Sequence, residues 1–314
     1  MKFNPVRIIL EKNGNYSSSF PALALIKRHF FLGSKIKICM TAFTLSQIYI
    51  YPVKSLSGIR VTRWPVTETG LQYDRKWVLI DRDGQFLSQR RLPKMALIKT
   101  ALTEDKLVLT APDMANLSLP LNAVDGEIIS STIWHDQCEA RTVSAAADSW
   151  LSHFLSTECR LVYQPNNEIR RVDPGYAQLG DQVGFADGFP FLIISENSLA
   201  ALNQAMQLNL SMTRFRPNLV VSGCDSYAED TWREISIGSI DFRLPKPCSR
   251  CTVPTIDPET AQTGKEPLTT LNRLRKWNNK VYFGQNALHD QCGLLALGDS
   301  VRIKQRGAMQ PPLN

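Results

Sequence analysis

From Leu45 onward the sequence rarely runs nine residues without a turn signal. LSQIYIYPV runs into KSLSG, and IRVTRWPV follows at once. WVLIDRDGQFLS reads as a hairpin in which Trp77–Ile80 rise, Asp81, Arg82, Asp83 and Gly84 turn, and Phe86 and Leu87 return. MALIKTALTEDKLVLTAPD adds a further strand pair turning at Glu104 and Asp105. Short strands at this spacing predict a barrel or a sandwich. Helical period enters sparingly. AAADSWLSHFLST puts Trp150, Leu151, Phe154 and Leu155 on one face.

QPNNEIRRVDPGYAQLGDQ is polar and rich in turn formers, and it marks the expected boundary to a second unit. FLIISENSLAALNQAM passes from strand to helix with Ser195 as N-cap and Leu199, Leu202 and Met206 along one face. NLVVSG, then REISIGSIDFRL with a tight Ile-Gly-Ser-Ile hairpin, a helix around EPLTTLNRLRKW, and a strand end at LLALGDSVRI complete it. The expected organisation is a basic extension at 1–39, a first mostly β unit at 40–165, a second at 175–306, and a tail at 307–314. The class is mostly β with α, an α+β chain. No internal repeat, heptad run or low-complexity tract is present, and G-x-G-x-x-G and G-x-x-x-x-G-K-S/T are absent.

The net charge of +7 points at first to a nucleic-acid or membrane partner. Its distribution argues otherwise. Residues 1–39 carry seven Lys/Arg and only Glu11 against them, leaving 29 basic and 28 acidic residues in the body. The body lacks the basic footprint of a nucleic-acid binder, so no nucleic-acid polymer is expected as partner. In the extension the longest apolar run, FPALALI, is cut at once by KRH and is far too short to span a bilayer. The stretch loosely resembles a transit peptide, but translation from an upstream start is the preferred expectation. Seven cysteines, an odd number at irregular spacing, fit a reducing cytosol rather than a disulfide framework.

RLPKPCSRCTVPT holds Cys248 and Cys251 two residues apart among Pro245, Pro247 and Pro254. Zinc needs four ligands, and the only later Cys and His, Cys292 and His289, have no finger or ribbon spacing. A thioredoxin-like pair wants a helix N-terminus, whereas the prolines predict a loop after a strand. Two readings remain: half-buried thiols in a loop, or one thiolate favoured by the adjoining Arg250. The second suits a soft metal that arrives within an anionic cofactor.

RFRPNLVVSGCDSYAEDTW, PCSRCTVPTIDPETAQTGKEPLTTL and VYFGQN, in that order, resemble the MOSC domain. The upstream IYIYPVKSLSG and GLQYDRKWVLID resemble the β-barrel domain preceding it in one branch of that family. That branch includes the mitochondrial amidoxime reducing component and a bacterial reductase of N-hydroxylated bases. The resemblance runs from about Leu45 to about Ile303 and implies two β-barrel-like domains. It implies a molybdenum cofactor with Cys251, the second cysteine of PCSRC, as thiolate ligand and Cys248 as no ligand. Lys54 and Ser55, Arg75, Arg216 and Asn218, and Ser249 and Arg250 would hold the pterin and its phosphate. Asn286 matches a further contact, at a position where animal members carry tyrosine. Where relatives supply polar side chains before FLIIS, this chain has Gly188 and Phe189, so only backbone groups could serve. A phosphate dianion needs several fixed donors, and Arg offers a planar fork that Lys cannot.

The implied activity is two-electron reduction of a small N-hydroxylated substrate, N–OH to N–H, with the cofactor carrying the chemistry. Asp225, beside Cys224, is the one candidate for a general acid; Cys224 itself reads as a buried small hydrophobe. No cysteine follows Cys292, and no flavin or nicotinamide signature appears. No iron–sulfur cluster, flavin or zinc is therefore expected, and a separate electron donor of ferredoxin or flavoprotein type is implied. The alternative is a carrier or sulfuration protein for molybdenum cofactor without turnover of its own.

Overall fold

A computed structural model describes residues 42–122 and 126–313. The extension expected at 1–39 lies outside the described residues. The described chain is mostly β, with three α-helices and short 3-10 turns.

Its largest sheet runs in the order Val301–Arg306, Trp232–Ile237, Ile240–Ser249, Lys280–His289, Phe191–Ser195, Leu219–Ser222, Thr44–Ile50 and Ile59–Val61, with Lys276–Trp277 paired off Lys280–His289. Phe191–Ser195 and Leu219–Ser222 are parallel, which requires a crossover; helix Glu196–Met206 lies within it. FLIIS is apolar without alternation because both faces of its strand are covered. Phe191 and Ile193 join the core that holds Leu45, Ile48, Trp232 and Ile235. Leu192 and Ile194 join the opposite one with Leu199, Leu202, Phe215 and Phe283. Three smaller sheets complete the fold: Trp77–Ile80 with Arg160–Tyr163, Asp136–Thr142 and Ile128–Ile133; Gly293–Ala296 with Arg63–Thr67 and Gly70–Leu71; and Lys99–Leu102 with Lys106–Thr110 and Leu117–Pro120.

Strand pairing crosses the segment 166–174 in both directions. Thr44–Ile50 pairs antiparallel with Leu219–Ser222, and Gly293–Ala296 pairs with Arg63–Thr67. Each half therefore lends an edge to a sheet of the other. The first half keeps its own core, in which Trp77, Leu79, Leu107 and Leu109 pack with Leu151, Phe154 and Leu155 of helix Ala145–Leu155. Ser144 caps that helix by accepting from the Ala147 N–H at 3.2 Å. Trp150 is only half-buried, and its Nε1 donates to the Ala115 carbonyl at 2.7 Å. Ser195 caps Glu196–Met206, accepting from the Ser198 N–H at 3.1 Å.

The WVLIDRDGQFLS hairpin forms: Ile80 bridges Phe86 and Leu87 N–H donates to the Leu79 carbonyl at 2.7 Å, while Phe86 N–H turns to the Thr132 carbonyl of a neighbouring strand. One local expectation is corrected. Cys248 does not lie on a loop. Strand Ile240–Ser249 runs through Pro245 and Pro247, which it tolerates because its register against Lys280–His289 shifts there. Residues 307–313 fold back on the body. The Gly307 and Gln310 N–H groups donate to the carbonyls of Thr231 and Asp230 at 2.8 and 2.9 Å, and Gln285 Nε2 donates to the Gln310 carbonyl at 2.9 Å.

Candidate functional site

Strand Thr44–Ile50, paired on both sides, delivers Tyr51 and the turn that follows it, and two guanidinium groups of the site pack on that ring. Tyr51 is fully buried. The Arg75 guanidinium lies 4.4 Å from its centroid and that of Arg216 4.2 Å. Burial pushes the Tyr51 phenol above its ordinary range, although Arg216 and Arg75 pull the other way. Its hydroxyl is buried without a hydrogen-bond partner.

Arg75 occupies the left-handed region at φ 47°, where a non-glycine residue is strained. Its backbone is clamped: its N–H donates to the Tyr51 carbonyl and its carbonyl accepts from Phe185 N–H, both at 2.8 Å. Its side chain donates to Asp74 at 2.5 Å, to Asn218 Oδ1 at 3.0 Å and to the Arg216 carbonyl at 3.3 Å. Arg216, also left-handed at φ 55°, donates to the Leu56 carbonyl at 2.6 Å. Burial, then the neighbouring Arg75, lowers the pKa of Arg216 to about 10. The direction follows first from burial and then from the second guanidinium beside it, with Tyr51, Asp74 and Asp187 opposing.

Lys54 is buried, and its ammonium donates to the Phe185 carbonyl at 2.8 Å and to Asp187 at 2.5 Å. Burial lowers its pKa and Asp187 opposes the shift. Asp187 stands at the mouth with 72% of its side chain exposed. The burial it has would raise its pKa, but Lys54 and the indole N–H of Trp134, 3.1 Å away, hold it below the usual carboxylate range. On the far wall, Arg250 reaches back along its strand. Its Nη1 donates to Cys248 Sγ at 3.1 Å and its Nη2 to the Phe215 carbonyl at 2.7 Å, while its Nε is buried without a partner. Burial pushes the Cys248 thiol up and Arg250 pulls it down. The sequence reading put Arg250 beside Cys251, but the guanidinium turns to the other cysteine. Cys251 is exposed at the rim.

All nine expected residues meet at one cleft: Lys54, Ser55, Arg75, Arg216, Asn218, Ser249, Arg250, Cys251 and Asn286. They come from distant chain segments: the turn after Thr44–Ile50, the approach to Trp77–Ile80, the approach to Leu219–Ser222, the end of Ile240–Ser249 and the interior of Lys280–His289. Gly188 and Phe189 line it too. Asn218 has less to offer a ligand than its position suggests. Its amide accepts from Arg75 and from Leu192 N–H and donates to the Tyr49 carbonyl, so it positions Arg75. Asn286 makes only a long contact of 3.5 Å to the Pro247 carbonyl.

Several residues escaped sequence reasoning. Asp187 sits in GFADGFP, where an acid reads as a solvated turn; Tyr51 reads as another strand aromatic; and Phe86 and Arg90 line the cleft from the first half. Asp74 next to Arg75 reads as a surface pair, yet it is buried and accepts from Tyr51 N–H at 2.7 Å. Asp225 does not line the cleft, and Cys224 is buried in the large core, which removes Asp225 as a general acid there. His289 is engaged with the Thr67 carbonyl at 2.7 Å.

Among the described residues, Lys54, Arg75, Arg90, Arg216 and Arg250 thus meet the carboxylates of Asp74 and Asp187. A cleft with surplus fixed cations and a partnerless buried guanidinium nitrogen suits a multiply charged anion, and the rim thiol adds a soft donor. The donor set fits an anionic pterin phosphate carrying a soft metal.

Comparison with known proteins gives the family. Residues 42–158 match the MOSC N-terminal beta barrel domain and residues 180–302 the MOSC domain. The chain is 36% identical over 279 residues to human mitochondrial amidoxime-reducing component 1, covering 83% of this chain and 82% of the relative. It is 34% identical over 276 residues to human mitochondrial amidoxime reducing component 2, covering 82% of each. Among solved structures, the YUAD protein from Bacillus subtilis aligns at TM-score 0.38 and 11% identity, over 83% of this chain and 94% of that one. The chain belongs to the MOSC family, in the branch with an N-terminal MOSC β-barrel domain and amidoxime-reducing relatives.

Proposed function

We propose that this protein is a molybdenum-cofactor-dependent reductase of small N-hydroxylated compounds, drawing electrons from a separate ferredoxin- or flavoprotein-type donor. The observation that carries the reading is the under-compensated cationic cleft with an exposed thiol, Cys251, at its rim. The reaction balances as N–OH plus two electrons and two protons giving N–H plus water, the donor being the reductant. When bound, the cofactor would supply the two-electron chemistry that removes the oxygen.

The chain's own residues bind and orient. Arg75, Arg216 and Arg250 offer guanidinium donors to the anionic part, with Lys54, Ser55, Ser249 and Asn286 around them. Tyr51 and Asn218 fix the two guanidinium planes before any ligand arrives, so little side-chain ordering remains at binding. Cys251 gives the thiolate. Gly188 and Phe189 contribute backbone groups to the same wall. The proposed division into a barrel domain at 40–165 and a MOSC domain at 175–306 places the guanidinium of Arg75 in the first and the thiol in the second. A cytosolic location is part of this reading, supported by the free thiols Cys138, Cys159 and Cys224 in the interior.

Metal analysis of purified wild type, Cys251→Ala and Cys248→Ala tests it, together with turnover of an N-hydroxylated amidine using an artificial donor. Molybdenum is expected in wild type and Cys248→Ala and missing from Cys251→Ala. Equal loss in both variants, or zinc in place of molybdenum, sinks the assignment. Full molybdenum without turnover would move the protein to a carrier role.

A further inference from the structure

A second cleft lies elsewhere on the molecule and shares no lining residue with the first. Its volume is about 830 Å³, which gives room for a small organic molecule. Two cations line it, Lys76 and Arg141, together with the carboxamides of Gln72, Asn166, Asn167 and Gln182.

Neither cation forms an ion pair among the described residues. Lys76 is half-buried, and its ammonium donates to Asn166 Oδ1 at 2.8 Å. Arg141 Nη1 donates to the Gly126 carbonyl at 2.9 Å. Two carboxylates, Glu68 and Glu168, also line the cleft. Glu168 Oε1 accepts from Glu139 N–H at 3.2 Å, and among the described residues neither carboxylate pairs with Lys76 or Arg141. Burial lowers the Lys76 pKa to about 8, with no carboxylate opposing it. A half-buried ammonium held by a neutral amide is an incomplete arrangement, and an incoming oxyanion completes it.

The platform beneath is rigid. Lys76 carbonyl accepts from Gln164 N–H at 3.0 Å, and Lys76 immediately precedes Trp77, the buried start of a strand. In register, Trp77 lies opposite Tyr163 and Tyr163 opposite Arg141. Adjacent strands are about 4.8 Å apart, so the backbone of Trp77, next to Lys76, lies roughly 10 Å from that of Arg141. Two cations carried on separate strands of one cleft match a molecule with two anionic groups.

We propose that this cleft is a second ligand site that takes a small organic dianion, anchored by Lys76 at one end and Arg141 at the other. The carboxamides supply neutral hydrogen-bonding groups between them. The shared chemistry is the paired oxyanion, which a dicarboxylate or a phosphate ester could provide.

The test reads Lys76 itself. Cofactor-loaded, full-length protein is treated with a water-soluble N-hydroxysuccinimide ester, and acylation of Lys76 is followed by peptide mass spectrometry. Parallel samples contain succinate, glycerol 3-phosphate or chloride at matched ionic strength. Succinate or glycerol 3-phosphate should slow Lys76 labelling saturably, by roughly fivefold at a few times its dissociation constant; chloride should not. Which of the two protects better identifies the source of the anion. Arg141→Gln should remove the protection while leaving basal Lys76 labelling in place. The proposal is overturned if neither dianion protects, if protection survives Arg141→Gln, or if Lys76 resists labelling in every buffer.

Discussion

Under the large sheet a single buried cation is outnumbered by acids; beside Tyr51 the cations outnumber the acids. In the first region Arg275 donates to Asp230 at 2.6 Å, with both side chains almost wholly buried. Gln285 donates to the other Asp230 oxygen at 2.8 Å, and Glu229 accepts from Ser195 N–H and Ser198 Oγ at 3.0 and 2.9 Å. Burial raises the pKa of Glu229 and of Asp230, against the pull of those hydrogen bonds and, for Asp230, of Arg275. None of Arg275, Asp230, Gln285 and Glu229 lines either cleft described above. In the second region Lys54, Arg75, Arg216 and Arg250 line an opening, and the shifts run toward loss of positive charge at Lys54 and Arg216. A buried polar cluster that closes on itself specifies the fold. One that keeps a surplus of one sign at an opening is built for a ligand of the other sign.

The sharpest way to break this contrast is Arg275→Met. It strands Asp230 beneath the sheet and should cost about 3–5 kcal/mol at pH 7 in a denaturant titration. The loss should shrink as pH is lowered. Without Arg275 the folded pKa of Asp230 rises further above its unfolded value, the native state holds more protons than the unfolded one, and stability falls as pH rises through that window. A variant whose deficit is the same at pH 5 and pH 7 would show that Asp230 is not the stranded group.

Arg216→Ala should behave in the opposite way. In cofactor-free protein the lost bond to Leu56 is offset by relief of repulsion from Arg75, and stability should stay within about 1 kcal/mol of wild type. Pterin retention after gel filtration should drop by at least about tenfold, equivalent to roughly 1.4 kcal/mol. Arg216→Lys should not restore it, because a point charge cannot replace the planar fork. Full retention in Arg216→Ala would dissolve the distinction between the two regions.

Asp187→Asn is the smallest expected effect. The Lys54 pair is open to solvent on the carboxylate side, so its removal should cost no more than about 1 kcal/mol at neutral pH. Since the folded pKa of Asp187 is depressed, the contribution is fully present above its unfolded pKa of about 3.9. The gap between variant and wild type should therefore close only as pH falls below that value. A gap that varies between pH 6 and pH 8 would point to Lys54 rather than Asp187 as the titrating partner.

The sequence was most informative where chemistry is local. The Ser195 cap follows from a strand run ending in Ser-Glu-Asn-Ser, and the Ile237–Ile240 hairpin from its glycine, which adopts φ 58° at Gly238. The nine residues of the first cleft were legible through ordered motifs. What those motifs cannot carry is side-chain direction. Arg250 touches Cys251 in sequence, yet its guanidinium folds back to Cys248 at 3.1 Å. Nor does alternation name a strand's partner: Leu45, Ile48 and Ile50 announce burial, not that Leu219–Ser222 will cover them. Asp187 and Tyr51 were invisible because their importance lies in which cations surround them, and those arrive from elsewhere in the chain.

The pairing of Thr44–Ile50 with Leu219–Ser222 also sets an order of events during synthesis. Thr44 and Ser222 share a side-chain hydrogen bond across 178 positions. At roughly 5–20 residues per second, the earlier strand waits on the order of ten to thirty seconds for its partner to leave the ribosome. Throughout that interval LSQIYIY, apolar and β-prone, has only the three-residue strand Ile59–Val61 to pair with, and its other side stays open. The emerging chain thus passes through a stage in which a piece of its final core is an exposed edge, and chaperone dependence should be concentrated there.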